Sequence, residues 1–185
     1  MFCRKITLLL VLLLCLCGCK GEQFDPEMLA QSYTGRDFSA QYIVTTHAGF
    51  YTEYRLSCQH QDGVSAVTIL EPQSIAGISA VIQEGSQLLQ YEEVQLDALL
   101  PEIPGYAPMD MLHQLVNDLG KLPPDQYQIR STELVLEYRD TRTDGTSLLK
   151  IITLDKATMD LRSAECYLDD SLILSLQIES LEWHG

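Results

Sequence analysis

Apolar and polar residues alternate with period two along most of this chain, and two stretches of helical period interrupt the alternation. Phe38, Ala40, Tyr42 and Val44 alternate with Ser39, Gln41 and Ile43, as in a strand with one face on a core. His47-Ala48-Gly49 reads as a turn and residues 50–59 as a second strand. Asp62-Gly63 supplies the positive φ of a tight hairpin. Residues 64–70 form a third strand stopped by Pro72, and residues 78–83 a fourth. Glu84-Gly85-Ser86 then turns the chain into a fifth over 87–94. A second block predicts strands at 127–131, 133–139, 147–155, 161–168 and 171–183, with turns at Asp144-Gly145 and Asp169-Asp170. In the last strand Leu172, Leu174, Leu176 and Ile178 share one face, and Ser175, Gln177 and Glu179 the other.

The helical stretches flank the first block. Asp25-Pro26-Glu27 is a helix start with proline at the first helical position. Phe24, Met28, Leu29, Ser32 and Tyr33 continue it, and Gly35 ends it. Between residues 107 and 120, Leu112, Leu115, Val116 and Leu119 fall on one face. Pro101, Pro104 and Pro108 precede this helix; Gly120 and Pro123-Pro124 close it. Consecutive strands with short turns favour antiparallel neighbours. The predicted fold is therefore mainly β (α+β). It is a single strongly curved antiparallel sheet, a half-barrel, with the N-terminal and mid-chain helices on its concave side.

The N-terminus is of a different character. Arg4-Lys5 leads an apolar run from Ile6 to Cys15, followed by Leu16-Cys17-Gly18-Cys19. This is a charged region, a short apolar core and a small residue before the cut. The run is shorter than the roughly 20 residues of a transmembrane helix. The Leu-x-Gly-Cys ending looks like a lipobox, the lipidation site of bacterial lipoprotein precursors. A plain secretory signal and an uncleaved anchor are the alternatives. The expected organisation is a signal peptide at 1–18, a lipidated Cys19 with a short tether at 19–23, and one domain at 24–185. A diacylglyceryl group and added acyl chain of palmitate type would give a firm anchor. The protein is thus expected outside the cytoplasm, held to a membrane.

Charge and chemistry narrow the function. The 26 acidic residues outnumber 12 Lys and Arg, for a net charge of −14, and loss of Arg4 and Lys5 with the signal deepens the excess. Such a chain repels nucleic acid, so no nucleic-acid partner is expected. Outside the signal and anchor only Cys58 and Cys166 remain. They are either a disulfide, permitted in an oxidising compartment, or two small buried residues. His47, His60, His113 and His184 lack zinc-type spacing, and no metal or cofactor is expected. No nucleophile elbow, phosphate-binding loop, zinc-protease helix or dinucleotide fingerprint occurs, and the chain is not expected to be an enzyme.

The order of elements resembles the LolA/LolB-like lipoprotein-carrier superfamily, including its small lipoproteins in spore-forming bacteria. The likeness rests on residues 71–82, Glu71-Pro72 to Ile82, followed by Gly85 and Leu88-Leu89-Gln90-Tyr91. It also rests on Leu154-Asp155-Lys156-Ala157-Thr158 ahead of the last strand pair, and on the lipobox. The resemblance implies an incomplete barrel lined by apolar side chains with helices over its mouth. Leu112, Leu115, Leu172, Leu174, Leu176 and Ile178 then either fill a core or line a lipid-sized cavity. The helix bearing Met109, Met111, Leu112 and Leu115 is either a packed element or a movable plug. Two roles are implied. One is an anchored envelope protein that binds an acyl chain, a lipoprotein or a protein partner. The other is a non-catalytic accessory lipoprotein that stabilises or regulates a cell-wall enzyme, as in the spore-germination branch.

Overall fold

The computed structural model describes residues 24–83, 86–98 and 103–184. The signal peptide, Cys19 and tether expected at 1–23, and the Glu84-Gly85 turn, lie outside the described residues. Helix α1 (Pro26–Tyr33) is followed by β1 (Asp37–Thr46), β2 (Thr52–Gln61), β3 (Val64–Glu71), β4 (Ser79–Gln83), β5 (Ser86–Tyr91) and β6 (Val94–Ala98). Helix α2 (Met111–Lys121) leads to β7 (Gln126–Ile129), β8 (Glu133–Thr141), β9 (Ser147–Asp155), β10 (Leu161–Leu168) and β11 (Ser171–His184). The eleven strands make one open sheet in the order β6-β5-β4-β3-β2-β1-β11-β10-β9-β8-β7. Every pairing is antiparallel. Two meanders, β1–β6 and β7–β11, therefore meet along a central seam between the first strand and the last.

The expected half-barrel with helices is the fold observed, and the differences from expectation are local. The fifth predicted strand is two: Tyr91 pairs with Val94 across a tight turn in which Glu92 has φ 52. Glu-Glu is not a turn sequence, so the alternation reads straight through it. Asp62 (φ 50) with Gly63 (φ 79), and Asp169 (φ 47) with Asp170 (φ 63), adopt the left-handed pair that two-residue hairpins need.

Bulges re-aim parts of β11. A register shift between Cys166 and Tyr167 pairs Cys166 with Leu174 but Tyr167 with Leu172. A slip of one residue moves side chains to the other face. Ile173, not Leu172, packs at the core border, so Leu172 does not share the face of Leu174 and Leu176. A second shift pairs Gln41 with Ser180 but Tyr42 with Ile178. It leaves Glu179 unpaired on the ladder, and the Glu179 carboxylate accepts both Nε and Nη2 of Arg55.

Both helices dock by an apolar face, but Met28, expected on that of α1, is 62% exposed, and Leu29 and Tyr33 carry the contact. Asp25 Oδ1 accepts the Glu27 and Met28 amides at 3.0 and 3.4 Å, capping α1. Met111, Leu112, Leu115, Val116 and Leu119 of α2 are buried in one core cluster with Tyr42, Leu56, Leu136, Ile152 and Leu154 of the sheet. Each such side chain contributes about 2 kcal/mol by leaving water. Thr34 Oγ1 donates to the Ala30 and Gly120 carbonyls at 2.8 and 2.9 Å, tying α1 to the end of α2.

Candidate binding site

Of the residues read as either core or cavity lining, most are buried among the protein's own side chains. Leu112, Leu115, Leu174 and Leu176 all lie in one core cluster and are at most 3% exposed. Ile178 packs on its border. None of the six candidate lining residues borders the open cleft beside α2.

An open cleft of about 420 Å³ lies beside that core. Its walls are Ile103, Pro104 and Tyr106, the α2 residues Gln114 and Asp118, Leu122 and Pro123, and Tyr138, Leu148 and Lys150 of β8 and β9. Lys150 Nζ donates to Asp118 Oδ2 at 2.6 Å, with only 14% and 8% of the two side chains exposed. Gln114 Nε2 donates to the other oxygen at 2.7 Å, and the Lys150 ammonium lies 5.7 Å from the centre of the Tyr106 ring. Burial pushes the Tyr106 and Tyr138 phenols well above their ordinary range, so both stay neutral donors. Tyr138 donates to the Leu122 carbonyl at 3.4 Å. Asp125, Arg139 and Asp140 form the rim. Within the wall, Lys150 and Asp118 neutralise each other.

The loop before α2 is built around a buried carboxylate. Asp110 Oδ2 accepts the Gly105 amide at 2.8 Å and Oδ1 the Ala107 amide at 3.0 Å. Burial raises the Asp110 pKa, against those two hydrogen bonds. Gly105 has φ 79, and a Cβ there would meet Gln114 Cβ at 3.0 Å, so only glycine suits this position.

A buried polar chain joins α2 to the sheet. Asn117 Nδ2 lies 2.9 Å from His113 Nε2, His113 Nδ1 lies 2.8 Å from Ser65 Oγ, and Ser65 Oγ lies 2.8 Å from His60 Nδ1. The amide can only donate, so His113 Nε2 accepts and its Nδ1 carries the proton to Ser65. Ser65 then donates to His60 Nδ1. One direction of donation satisfies all four groups with both imidazoles neutral. Burial lowers the pKa of His60, and that of His113 likewise, with the neighbouring imidazole adding to the effect at His113. The ring of Phe38 stacks on His60 at 4.9 Å.

Cys58 and Cys166 are free thiols, each buried. The expected alternative of a disulfide is not the one adopted. Cys58 faces Ala40, whose partner on β11 is Leu181, whereas Cys166 faces Leu174 near the opposite end of β11. Burial pushes both thiols up to about 12. Sequence reasoning named His60 and His113 only for their lack of zinc-type spacing, and missed Ser65, Asn117, Asp118 and Lys150. The His113–Asn117 spacing of one helical turn and a lone lysine in Leu148-Leu149-Lys150-Ile151-Ile152 were the available signals.

No protein-family model matches the sequence, and no curated protein matches it. Solved structures do. An uncharacterized conserved protein from Thermus thermophilus superposes with a TM-score of 0.53 at 11% identity, covering 86% of each chain. A DUF1329 family protein from Desulfovibrio piger gives 0.48 at 10% identity, over 85% of this chain and 91% of the other. A LolA superfamily protein from Nitrosomonas europaea gives 0.44 at 11% identity, over 85% and 94%. With its single open antiparallel sheet and two docked helices, the chain shares its fold with the Thermus thermophilus protein.

Proposed function

We propose that this protein is an extracytoplasmic lipoprotein, anchored through Cys19, that binds another protein of the cell envelope and has no catalytic role of its own. The observation that carries the reading is the filled interior: the α2 residues that would line or plug an acyl-chain cavity are Leu112 and Leu115, at 0% and 1% exposure. Of the two roles implied by the LolA-like resemblance, a partner-binding one fits a packed half-barrel better than lipid carriage. The open cleft between α2 and β9, with internally neutralised charges, suits an inserted side chain. An accessory role on a cell-wall enzyme is the specific form of this reading.

The test uses the full-length chain expressed in its native envelope. Intact-mass analysis is expected to find a diacylglyceryl group on Cys19, and Cys19→Ser is expected to leave the membrane fraction. Cross-linking followed by purification is expected to recover one protein in stoichiometric amount and no bound acyl chain. Co-purification of a fatty acid or lipoprotein acyl chain, with no stoichiometric protein, overturns the reading in favour of lipid handling.

A further inference from the structure

The two edges of the sheet are treated differently. Edge strands normally carry a lysine, a proline, a bulge or a cover, because their free backbone groups template pairing with another chain. β7 is short, follows Pro123-Pro124, and Phe24 packs on its Tyr127 with ring centres 4.9 Å apart. β6 reads Val94-Gln95-Leu96-Asp97-Ala98 and carries no lysine, proline or bulge; among the described residues no strand pairs with its outer side.

The surface behind that edge is apolar. The register of β4, β5 and β6 puts Ala80, Leu89 and Leu96 in one row and Tyr91 and Val94 beside it, all on the core face. Ala80 is fully buried, but Tyr91, Val94 and Leu96 are 48%, 57% and 61% exposed. The inner face of the sheet thus runs out past its helical cover. The charge there has one sign. No Lys or Arg occurs between Arg55 and Lys121, so β3 to β6 contribute no cation, while Glu92 and Glu93 stand exposed at the β5–β6 turn. Arg55, the nearest cation in strand order, is engaged by Glu179 and Glu71.

We propose that β6 is the docking edge for an extended segment of a partner protein in which apolar residues alternate with Lys or Arg. The segment adds as a twelfth strand. Its backbone satisfies the open amides and carbonyls of β6, and its apolar residues cover Val94 and Leu96. Its cations meet Glu92 and Glu93. Strand addition of this kind takes affinity from the backbone and specificity from alternate side chains. The proposal rests on the partner-binding function proposed above.

The experiment uses the mature lipidated protein in detergent micelles and a synthetic peptide that alternates Arg with Val, with a Glu-for-Arg peptide as control. The Arg peptide is expected to slow amide hydrogen exchange in β6. Val94→Lys/Leu96→Lys is expected to weaken its binding at least tenfold, whereas Phe50→Lys/Tyr51→Lys at the distant hairpin tip leaves it unchanged. Should the first variant misfold, Glu92→Lys/Glu93→Lys, on exposed positions, is expected to give the same loss. Equal binding of the Glu peptide, protection elsewhere than β6, or a wild-type dimer abolished by Val94→Lys/Leu96→Lys would each overturn the proposal, the last by showing a second copy as occupant. Native cross-linking separates the two levels. A partner still recovered with the β6 variant removes this site and keeps the partner-binding function, whereas acyl chain without a partner removes the function itself.

Discussion

At the scale of single residues, the described interior holds one side-chain polar atom with no protein partner and two inert thiols. The Tyr42 hydroxyl is fully buried and makes no hydrogen bond among the described residues. A buried donor left unmade costs about 1–3 kcal/mol, so Tyr42→Phe is expected to raise stability by about 1 kcal/mol, read as a higher urea midpoint with unchanged slope. Cys58 and Cys166 need the opposite test. The thiolate is the reactive form, and both thiols titrate at about 12. A thiol reagent at pH 8 is expected to label neither in the folded protein and both in denaturant. Labelling of the folded protein would show an interior less closed than described. Sequence alone left these cysteines open between two states, because pairing depends on register between strands far apart in the chain. The β11 register that separates them includes bulges at Cys166–Tyr167 and Gln41–Tyr42, which no local pattern announces.

At the scale of elements, α2 was legible as an amphipathic helix from Leu112, Leu115, Val116 and Leu119, but its polar fastenings were not, since each joins residues distant in sequence. Ser65 on β3 and Lys150 on β9 hold opposite flanks of the helix. Removing one partner of a buried ion pair costs about 3–5 kcal/mol, so Lys150→Ala is expected to lower stability by about 3 kcal/mol. Asp118→Leu/Lys150→Met is expected to recover most of that loss in the same denaturation measurement. The other flank responds to acid. His60 and His113 are lowered in the folded state, so the unfolded chain binds protons first. Their contribution to stability is complete above the ordinary imidazole value of about 6.5. It is lost as pH falls through that value toward the lowered folded ones. Thermal midpoints are expected to drop from pH 7 to pH 5, and Ser65→Ala at pH 7 to cost about 1–3 kcal/mol by orphaning two ring nitrogens. An acid-insensitive midpoint in that window would refute the neutral chain. The β5–β6 turn was hidden for a different reason: Glu92 adopts φ 52 without the Gly or Asn that marks such turns.

At the scale of the whole molecule, the sheet, its antiparallel order and the two helices follow from period and turn chemistry, while the state of the interior does not. Leu172, Leu174, Leu176 and Ile178 suit a lined cavity and a filled core equally well as a pattern; that Leu174 and Leu176 join α2 residues in one buried cluster is visible only in three dimensions. The seam has a bearing on how the molecule is made. β1 pairs along its length with β11, from Asp37 opposite His184 to Thr46 opposite Leu174. Each meander is built from neighbours in sequence, but their union links the two ends of the chain, and such non-local closure slows folding. A chain delivered N-terminus first keeps the inner border of its first meander bare until β11 arrives. During that interval β1 is a second open edge, and the growing molecule depends on chaperoning or speed to keep it from pairing with the wrong strand.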